Sequence, residues 1–112
     1  MIEKVLFDYL NTANLSAIVY MEQPKEKPTA FYTLEKTGGS KYNHVYESNF
    51  IVQSNATSLV EAASMNEEIK AAMFNAITLD EVSRVELNGD YNYTDSASKT
   101  YRYQAVFVIK HY

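Results

Sequence analysis

Histidine, serine and carboxylate side chains are the groups in this chain whose chemistry would support catalysis or metal binding. The histidines are His44 and His111, and there is no cysteine. Zinc sites draw on Cys and His ligands at short spacings such as His-x-x-x-His or His-Glu-x-x-His, and neither spacing occurs. We therefore predict no metal site, with His44 at the entrance of a strand and His111 in a frayed terminus.

Nucleophilic and acid–base chemistry has no recognisable motif either. The chain lacks the Gly-x-Ser-x-Gly elbow that exposes a nucleophilic serine in many hydrolases. No spaced pair of carboxylates lies in apolar sequence, which general-acid catalysis uses to raise a carboxyl pKa. A Ser-His-Asp triad assembles in space, so it stays an open alternative. We expect a protein that is not an enzyme and that binds no cofactor.

Composition limits the remaining classes. The 112 residues carry a formal net charge of −4 and are predicted to form one domain, residues 1–112. General binding to nucleic-acid phosphates needs clustered Lys and Arg, whereas the basic residues here are scattered. No apolar run approaches the roughly 20 residues that span a bilayer, and the opening MIEKVLFDYL lacks the pattern of a signal peptide. We expect a soluble, cytoplasmically made protein with no membrane partner.

Two helices are predicted from apolar periodicity and capping residues. The first runs from about residue 2 to 13, with apolar residues at i, i+3, i+4, i+7, i+8 and i+11. The second follows a strand that starts at His44, and its first turn carries the capping-box pair Ser58 and Glu61. We expect both helices to dock on a sheet. The apolar or small stripe of the second helix consists of Leu59, Ala62, Met65 or Asn66, Ile69, Met73 and Ala76.

Strands are predicted from runs of β-branched and aromatic residues bounded by turn residues. Residues 22–28 form a polar surface loop, and Gly38-Gly39 is predicted as the turn of a hairpin. Asn88-Gly89 fits either a second hairpin or a bulge in one long strand, and we favour the bulge because the final strand still needs a neighbour. The predicted strands cover residues 15–21, 29–37, 44–54, 79–93 and 100–110, with a loop at 95–98.

The element order α-β-β-β-α-β-β predicts an α+β fold. We expect a single mostly antiparallel sheet of about four to five strands with two helices packed on one face. The final strand is apolar on both faces at its middle, which favours a central position in that sheet.

Tyrosine is unusually frequent, with ten copies in the chain. Two Tyr-rich segments, residues 41–43 and 90–94, are too polar for a core and predict aromatic rings exposed on loops. Aromatic loops on a rigid sheet are common contact surfaces. The alternative, that these tyrosines only pack against the edges of the sheet, stays open for each residue. As a group they favour an interface.

Three segments carry a family resemblance. The first is Pro28 followed by AFYTLEKTGG, and the second is FIVQSNATSLVEA at residues 50–62. The third is Tyr101-Arg102 in the last strand, followed by Phe-Val at 107–108. In this order, and together with the N-terminal helix, they resemble the tail terminator, or tail completion, proteins of long-tailed bacteriophages across nearly the whole chain.

The resemblance implies a structural virion protein. Such proteins form a ring, typically a hexamer, that caps the tail tube, stops its polymerisation and offers a surface to the head connector. The implied partners are other copies of the chain, the tail tube protein and the head connector, or stopper, protein, while DNA only passes through the lumen. The implied location is the tail–head junction of the virion, and the host cytoplasm before assembly.

Six residues are candidates for the interface, by their position in the chain and by the two Tyr-rich segments. Lys25 and Lys27, on the 22–28 loop, and Tyr42 are assigned to a rim of the ring. Arg102 is assigned to the sheet face away from the helices, where an ion pair with a neighbouring carboxylate is favoured over a role facing DNA. The full set is Lys25, Lys27, Tyr42, Tyr91, Tyr93 and Arg102. The alternatives are another head–tail connector or minor tail protein, or a small non-enzymatic ligand-binding module.

Overall fold

The computed structural model describes residues 1–97 and 100–112, which form two α-helices, one 3-10 turn and five strands. The predicted α+β class and element order are confirmed. The predicted 95–98 loop ends at Ser98, outside the described residues. The bounds are α1 Ile2–Asn11, β1 Val19–Tyr20, β2 Phe31–Tyr42, β3 Val45–Ala56, α2 Leu59–Asn75, the 3-10 turn Ala76–Thr78, β4 Val82–Asn92 and β5 Tyr101–His111.

The strands form one sheet in the order β1-β2-β3-β5-β4. Every neighbouring pair is antiparallel except β1 and β2, which are parallel. The β2–β3 pairing runs from Phe31 opposite Asn55 to Tyr42 opposite Val45. Because β5 lies between β3 and β4, its predicted interior position is confirmed.

The turn between β2 and β3 lies at Asn43-His44, so the predicted Gly38-Gly39 turn is wrong. Asn43 and His44 have φ angles of 48° and 67°, and a two-residue type I′ turn requires positive φ at both central residues. The two glycines lie inside β2, just past a bulge. A Cβ on Gly39 would lie 3.0 Å from the carbonyl oxygen of Glu47, so this glycine serves the close approach of two strands.

The strand predicted at residues 15–21 is reduced to β1. At the end of α1 the Asn11 side chain donates to the carbonyl oxygen of Val19 at 3.2 Å and accepts from the Val19 N–H at 3.0 Å. Asn14, between the helix and the strand, has a positive φ of 57°. The first helix accordingly ends at Asn11 rather than residue 13, and the connection joins the sheet for two residues only.

Helix α2 begins at the predicted cap. The Ser58 hydroxyl accepts from the Glu61 N–H at 3.2 Å, whereas the Glu61 carboxylate accepts from the Thr57 hydroxyl at 3.4 Å, where a capping box would have it accept from the Ser58 N–H. Leu59, predicted on the buried stripe, is 41% exposed. The rest of the stripe is buried, namely Ala62, Met65, Asn66, Ile69, Met73 and Ala76.

The core lies between one face of the sheet and the two helices. Helix α1 contributes Ile2, Leu6 and Leu10. The Tyr32 hydroxyl donates to the Met65 carbonyl oxygen at 3.2 Å, and burial raises the pKa of Tyr32. The sheet contributes side chains that include Leu34, Phe50, Val52, Phe107 and Ile109. Across residues 1–97 and 100–112, no helix is both long and apolar enough to cross a membrane.

Strand β4 carries the favoured bulge at Asn88-Gly89. The register with β5 shifts between Leu87 and Gly89, so the strand continues through this dipeptide instead of turning back. A second register shift lies between Val82 and Arg84. Bulges increase the local twist of a strand, and both lie on a strand at the edge of the sheet.

Candidate protein–protein interface

The six candidate residues divide between the two ends of the sheet. The molecule measures 45 × 25 × 24 Å, and a 12-residue strand such as β2 spans about 40 Å, so the strands run along the long axis. Tyr42 lies beside the β2–β3 turn, whereas the 22–28 loop precedes the opposite end of β2. Tyr42 therefore does not share an end with Lys25 and Lys27, contrary to the single rim expected for them.

We define the hairpin end as residues 41–46 and the loop end as residues 22–28 together with Tyr91, Tyr93 and Arg102. Arg102 lies opposite Asn55, and Asn55 lies opposite the first residue of β2, so the strand register places Arg102 beside the 22–28 loop. Lys27 and Arg102 line one cavity of about 680 Å³. Lys25 is exposed on the same loop.

The Arg102 side chain is held by Tyr93. Its Nε donates to the Tyr93 carbonyl oxygen at 3.1 Å, and its guanidinium carbon lies 5.1 Å from the centroid of the Tyr93 ring. In the described part of the chain no carboxylate lies within ion-pair distance of Arg102, so the favoured ion pair is wrong within one subunit. About half of Tyr93 remains exposed, so part of this pair is accessible to a partner.

Tyr91 and Tyr93 are exposed aromatic neighbours, as predicted, although they lie in and directly after β4 rather than in a loop. Tyr91 lies within β4 and Tyr93 directly after it. The two rings have centroids 6.0 Å apart and planes at 76°, and 43% and 49% of the two residues is exposed. Edge-to-face packing keeps both rings in a fixed arrangement, which is what a contact surface needs.

A chain of polar side chains crosses the sheet face away from the helices and ends at Tyr91. Thr33 donates to Gln53 at 3.4 Å, Gln53 donates to Gln104 at 2.9 Å, and the Gln104 Nε2 donates to the Tyr91 hydroxyl. This series of side-chain hydrogen bonds is not predicted from the sequence. Its only signal is that glutamines occupy the outward-facing positions of two predicted strands, and the pairing of these strands cannot be read from the sequence.

The hairpin end presents one prominent side chain. Tyr42 is 81% exposed and lines a shallow cavity of about 400 Å³ with Val45 and Lys110. Behind it, the Lys41 ammonium lies 5.1 Å from the centroid of the Tyr46 ring. Tyr42 is therefore an aromatic side chain beside a two-residue turn, with most of its surface exposed.

His111 is buried, so the predicted frayed terminus is wrong. It is 6% exposed because β5 pairs it with Tyr46 on one side and Val82 on the other. Its ring stacks on Tyr46 with centroids 5.4 Å apart, and its Nε2 lies 2.8 Å from the Ser48 hydroxyl. Burial lowers the pKa of His111.

The Ser48–His111 pair does not resemble a catalytic dyad. Ser48 is only 2% exposed, so its hydroxyl has no access to a substrate. The second nitrogen of His111, Nδ1, lies 3.4 Å from the Tyr112 carbonyl oxygen rather than facing a carboxylate, as a triad requires. The pair is a buried polar contact between β3 and β5.

Lys70 links α2 to the bulged strand β4. Its ammonium lies 2.5 Å from Asp90 and 2.8 Å from Glu67, and Asn66 donates to Asp90 at 2.8 Å. Hydrogen bonds to Asp90 and Glu67 raise the pKa of Lys70. Burial acts to raise the pKa of Asp90, but the bonds from Lys70 and Asn66 outweigh it and lower that pKa. These shifts come from a contact between two elements, α2 and β4.

Within the described residues, no group of three or more His, Asp or Glu side chains is placed to hold a metal ion. A scan against models of known protein families matches none of them, and a search of curated proteins likewise finds no match. The candidate site is therefore defined by its geometry, as two exposed aromatic ends on one elongated sheet.

Proposed function

We propose that this protein is a phage tail terminator, which caps the tail tube as a ring and offers its other side to the head connector. The observation that supports this most is the placement of exposed aromatic groups at both ends of a body 45 Å long. A terminator has to bind one partner above it and another below it. Tyr42 at the hairpin end and the Tyr91–Tyr93 pair at the loop end provide two separate surfaces for that purpose.

The mechanism is surface complementarity rather than chemistry. Tyrosine and arginine are frequent energetic anchors in protein interfaces, because their rings and guanidinium groups bury a large area while keeping a polar contact. The loop end supplies such a set in Tyr93 and Arg102, with Lys27 alongside. The sheet fixes the distance between the two ends, so binding at both would hold tube and connector at a set separation.

The first test is native mass spectrometry of the purified protein, from low micromolar concentration upward, with and without a tail tube protein. A terminator is expected to form closed rings of about six copies, alone or only in the presence of tube protein. A monomer that ignores the tube at every concentration would overturn the proposal and favour the ligand-binding class. A ring that binds a head connector but never the tube would point to another head–tail connector.

A further inference from the structure

The sheet has two open edges. On one side, β1 pairs only with Tyr32 and Thr33 of β2, so the stretch from Glu35 to Tyr42 has no strand beside it among the described residues. On the other side, β4 pairs with β5 alone. Side chains along both stretches are mostly exposed. Open edges present unpaired N–H and C=O groups, which are able to pair with another chain.

The two edges have opposite directions. Three antiparallel pairings separate β2 from β4, so the two strands run antiparallel to each other. When one copy is rotated about an axis roughly parallel to the strands, its β4 meets the β2 of the next copy in antiparallel orientation. Such a contact joins two different surfaces, and repetition of it closes a ring when the rotation between neighbouring copies divides a full turn. It therefore suits a ring of identical subunits.

One hydrogen bond shows which residues of β2 direct their backbone N–H and C=O groups towards the open edge. These are called the outward-facing residues. The Tyr32 N–H donates to the Ile18 carbonyl oxygen, next to β1, at 3.0 Å, so the backbone groups of Tyr32 face the open edge. Every second residue along the strand does the same. The bulge after Lys36 inserts one extra residue and lengthens a single step to three residues. The outward-facing residues are then Leu34, Lys36, Gly39 and Lys41.

The same reasoning applies to β4. The Tyr93 N–H donates to the Arg102 carbonyl oxygen at 2.9 Å, so the backbone groups of Tyr93 face β5. Those of every second residue back along β4 face β5 as well. The bulge at Asn88 again lengthens one step to three residues. The outward-facing residues of β4 are Asn92, Asp90, Leu87 and Val85.

We infer that β4 of one subunit pairs with β2 of the next, in the register that sets the two bulges opposite each other. Only that register keeps each outward-facing residue of β2 opposite an outward-facing residue of β4 along the whole overlap. The reason is that the three-residue interval caused by each bulge then lies opposite the other. It pairs Lys41 with Val85 and Gly39 with Leu87. It also places Lys36 directly opposite Asp90, and oppositely charged cross-strand pairs are favourable.

The bulges and charges also limit where else these edges can pair. Edge strands in natural proteins carry bulges and charged residues that discourage indiscriminate pairing. Here each edge has one bulge within the overlap, so an unrelated straight strand would fit neither. The same features that prevent aggregation therefore select the matching edge of another copy. This inference rests on the proposed ring. In one chain β4 and β2 lie at opposite edges of the sheet, so they pair with each other only between subunits.

Cysteine cross-linking tests the register directly, because the chain has no cysteine of its own. In the inferred register Ser40 lies opposite Glu86, with both side chains on the face away from the helices. The double variant S40C/E86C should give, after mild oxidation, a ladder of covalent oligomers on a non-reducing gel. Within one chain the two sites are separated by three strand spacings, or about 14 Å, so a disulfide cannot form inside a subunit.

The matched control is S40C/L87C, which moves the second cysteine by one residue and onto the other face of the sheet. It should give no ladder. A second in-register pair, Y42C/R84C, guards against a folding defect in the first. If native mass spectrometry shows rings but neither in-register pair cross-links above the control, the edge pairing is wrong while the ring proposal stands. A protein that remains monomeric with and without tube protein overturns both.

Discussion

His111 illustrates, at the scale of single residues, how strand pairing sets the chemistry of a side chain. It is buried between Tyr46 and Val82 and contacts the Ser48 hydroxyl. Burial lowers its pKa from the ordinary value near 6.5, although the contact with Tyr112 opposes the shift. The unfolded chain therefore binds a proton at a higher pH than the folded chain does.

Stability should consequently depend on pH through His111. As the pH falls below about 6.5, unfolded His111 takes up a proton before folded His111 does, so the free energy of unfolding decreases until the pH passes the lowered pKa of the folded state. Urea denaturation at a series of pH values between about 7 and 5 measures this slope. The variant H111Q should show a flatter profile than the parent protein across that range.

His44 provides the control for the pH experiment. It lies in the exposed β2–β3 turn with a positive φ, and H44N keeps a residue that tolerates this backbone conformation. H44N should retain the pH slope. If H111Q and the parent protein show the same slope, burial of His111 is not the cause of the pH dependence. The lowered pKa of Asp90 acts only at more acidic pH, because its ordinary value is 3.8.

The β2–β3 hairpin gives the clearest prediction at the scale of elements. Both turn residues have positive φ, and asparagine followed by glycine is the preferred pair for a type I′ turn. H44G removes the Cβ that disfavours this conformation and should stabilise the protein by about 1 kcal/mol. Chemical denaturation of H44G against the parent protein measures the change in the free energy of unfolding.

A glycine placed elsewhere in the same hairpin is the matched control. S40G adds a glycine within β2, where extra backbone freedom in the unfolded chain destabilises a strand. The two substitutions should therefore shift the free energy of unfolding in opposite directions. A loss of stability in H44G would show that the turn does not depend on positive φ at His44.

Elements with a long periodic pattern could be predicted from the sequence, whereas their junctions could not. Helix α2 and strands β3 and β5 follow their apolar patterns closely. The Gly38-Gly39 prediction failed because glycine also permits close approach of strands, and only the paired carbonyl oxygen of Glu47 distinguishes the two uses. The strand at 15–21 was overestimated because two hydrogen bonds between Asn11 and Val19 decide where β1 begins.

The candidate site was predicted as a set of residues but not as an arrangement. Exposure of Tyr42, Tyr91 and Tyr93 could be inferred from their polar neighbours. Their division between two ends depends on the register of four strands, which no local pattern encodes. For the same reason the contact between Arg102 and Tyr93 was missed, since Arg102 lies in β5 and Tyr93 follows β4, and these two segments meet only after folding.

At the scale of the whole molecule, the sheet separates two surfaces that have different compositions. The hairpin end offers Tyr42, while the loop end combines Tyr93 and Arg102 with two lysines of the 22–28 loop. A terminator with these two surfaces would bind each partner through one end only. Single substitutions at the two ends should therefore separate the two binding activities.

The variants Y42S and Y91S test this separation. Each should weaken binding to one partner, tube or connector, by about 30-fold or more, the usual effect of truncating an aromatic anchor. Each should leave binding to the other partner intact, and both should abolish tail–head joining in an assembly assay. Circular dichroism should show an unchanged fold, because Tyr42 is 81% and Tyr91 43% exposed.

An exposed apolar residue outside both ends supplies the control for these measurements. Ala71, well along α2, is exposed, so A71S alters an exposed apolar side chain away from both ends and should change neither binding nor joining. Loss of both partners in Y42S alone would mean that a single end carries both contacts, with the strands lying across the ring rather than along its axis. Unchanged joining in Y42S and Y91S would remove these tyrosines from the interface.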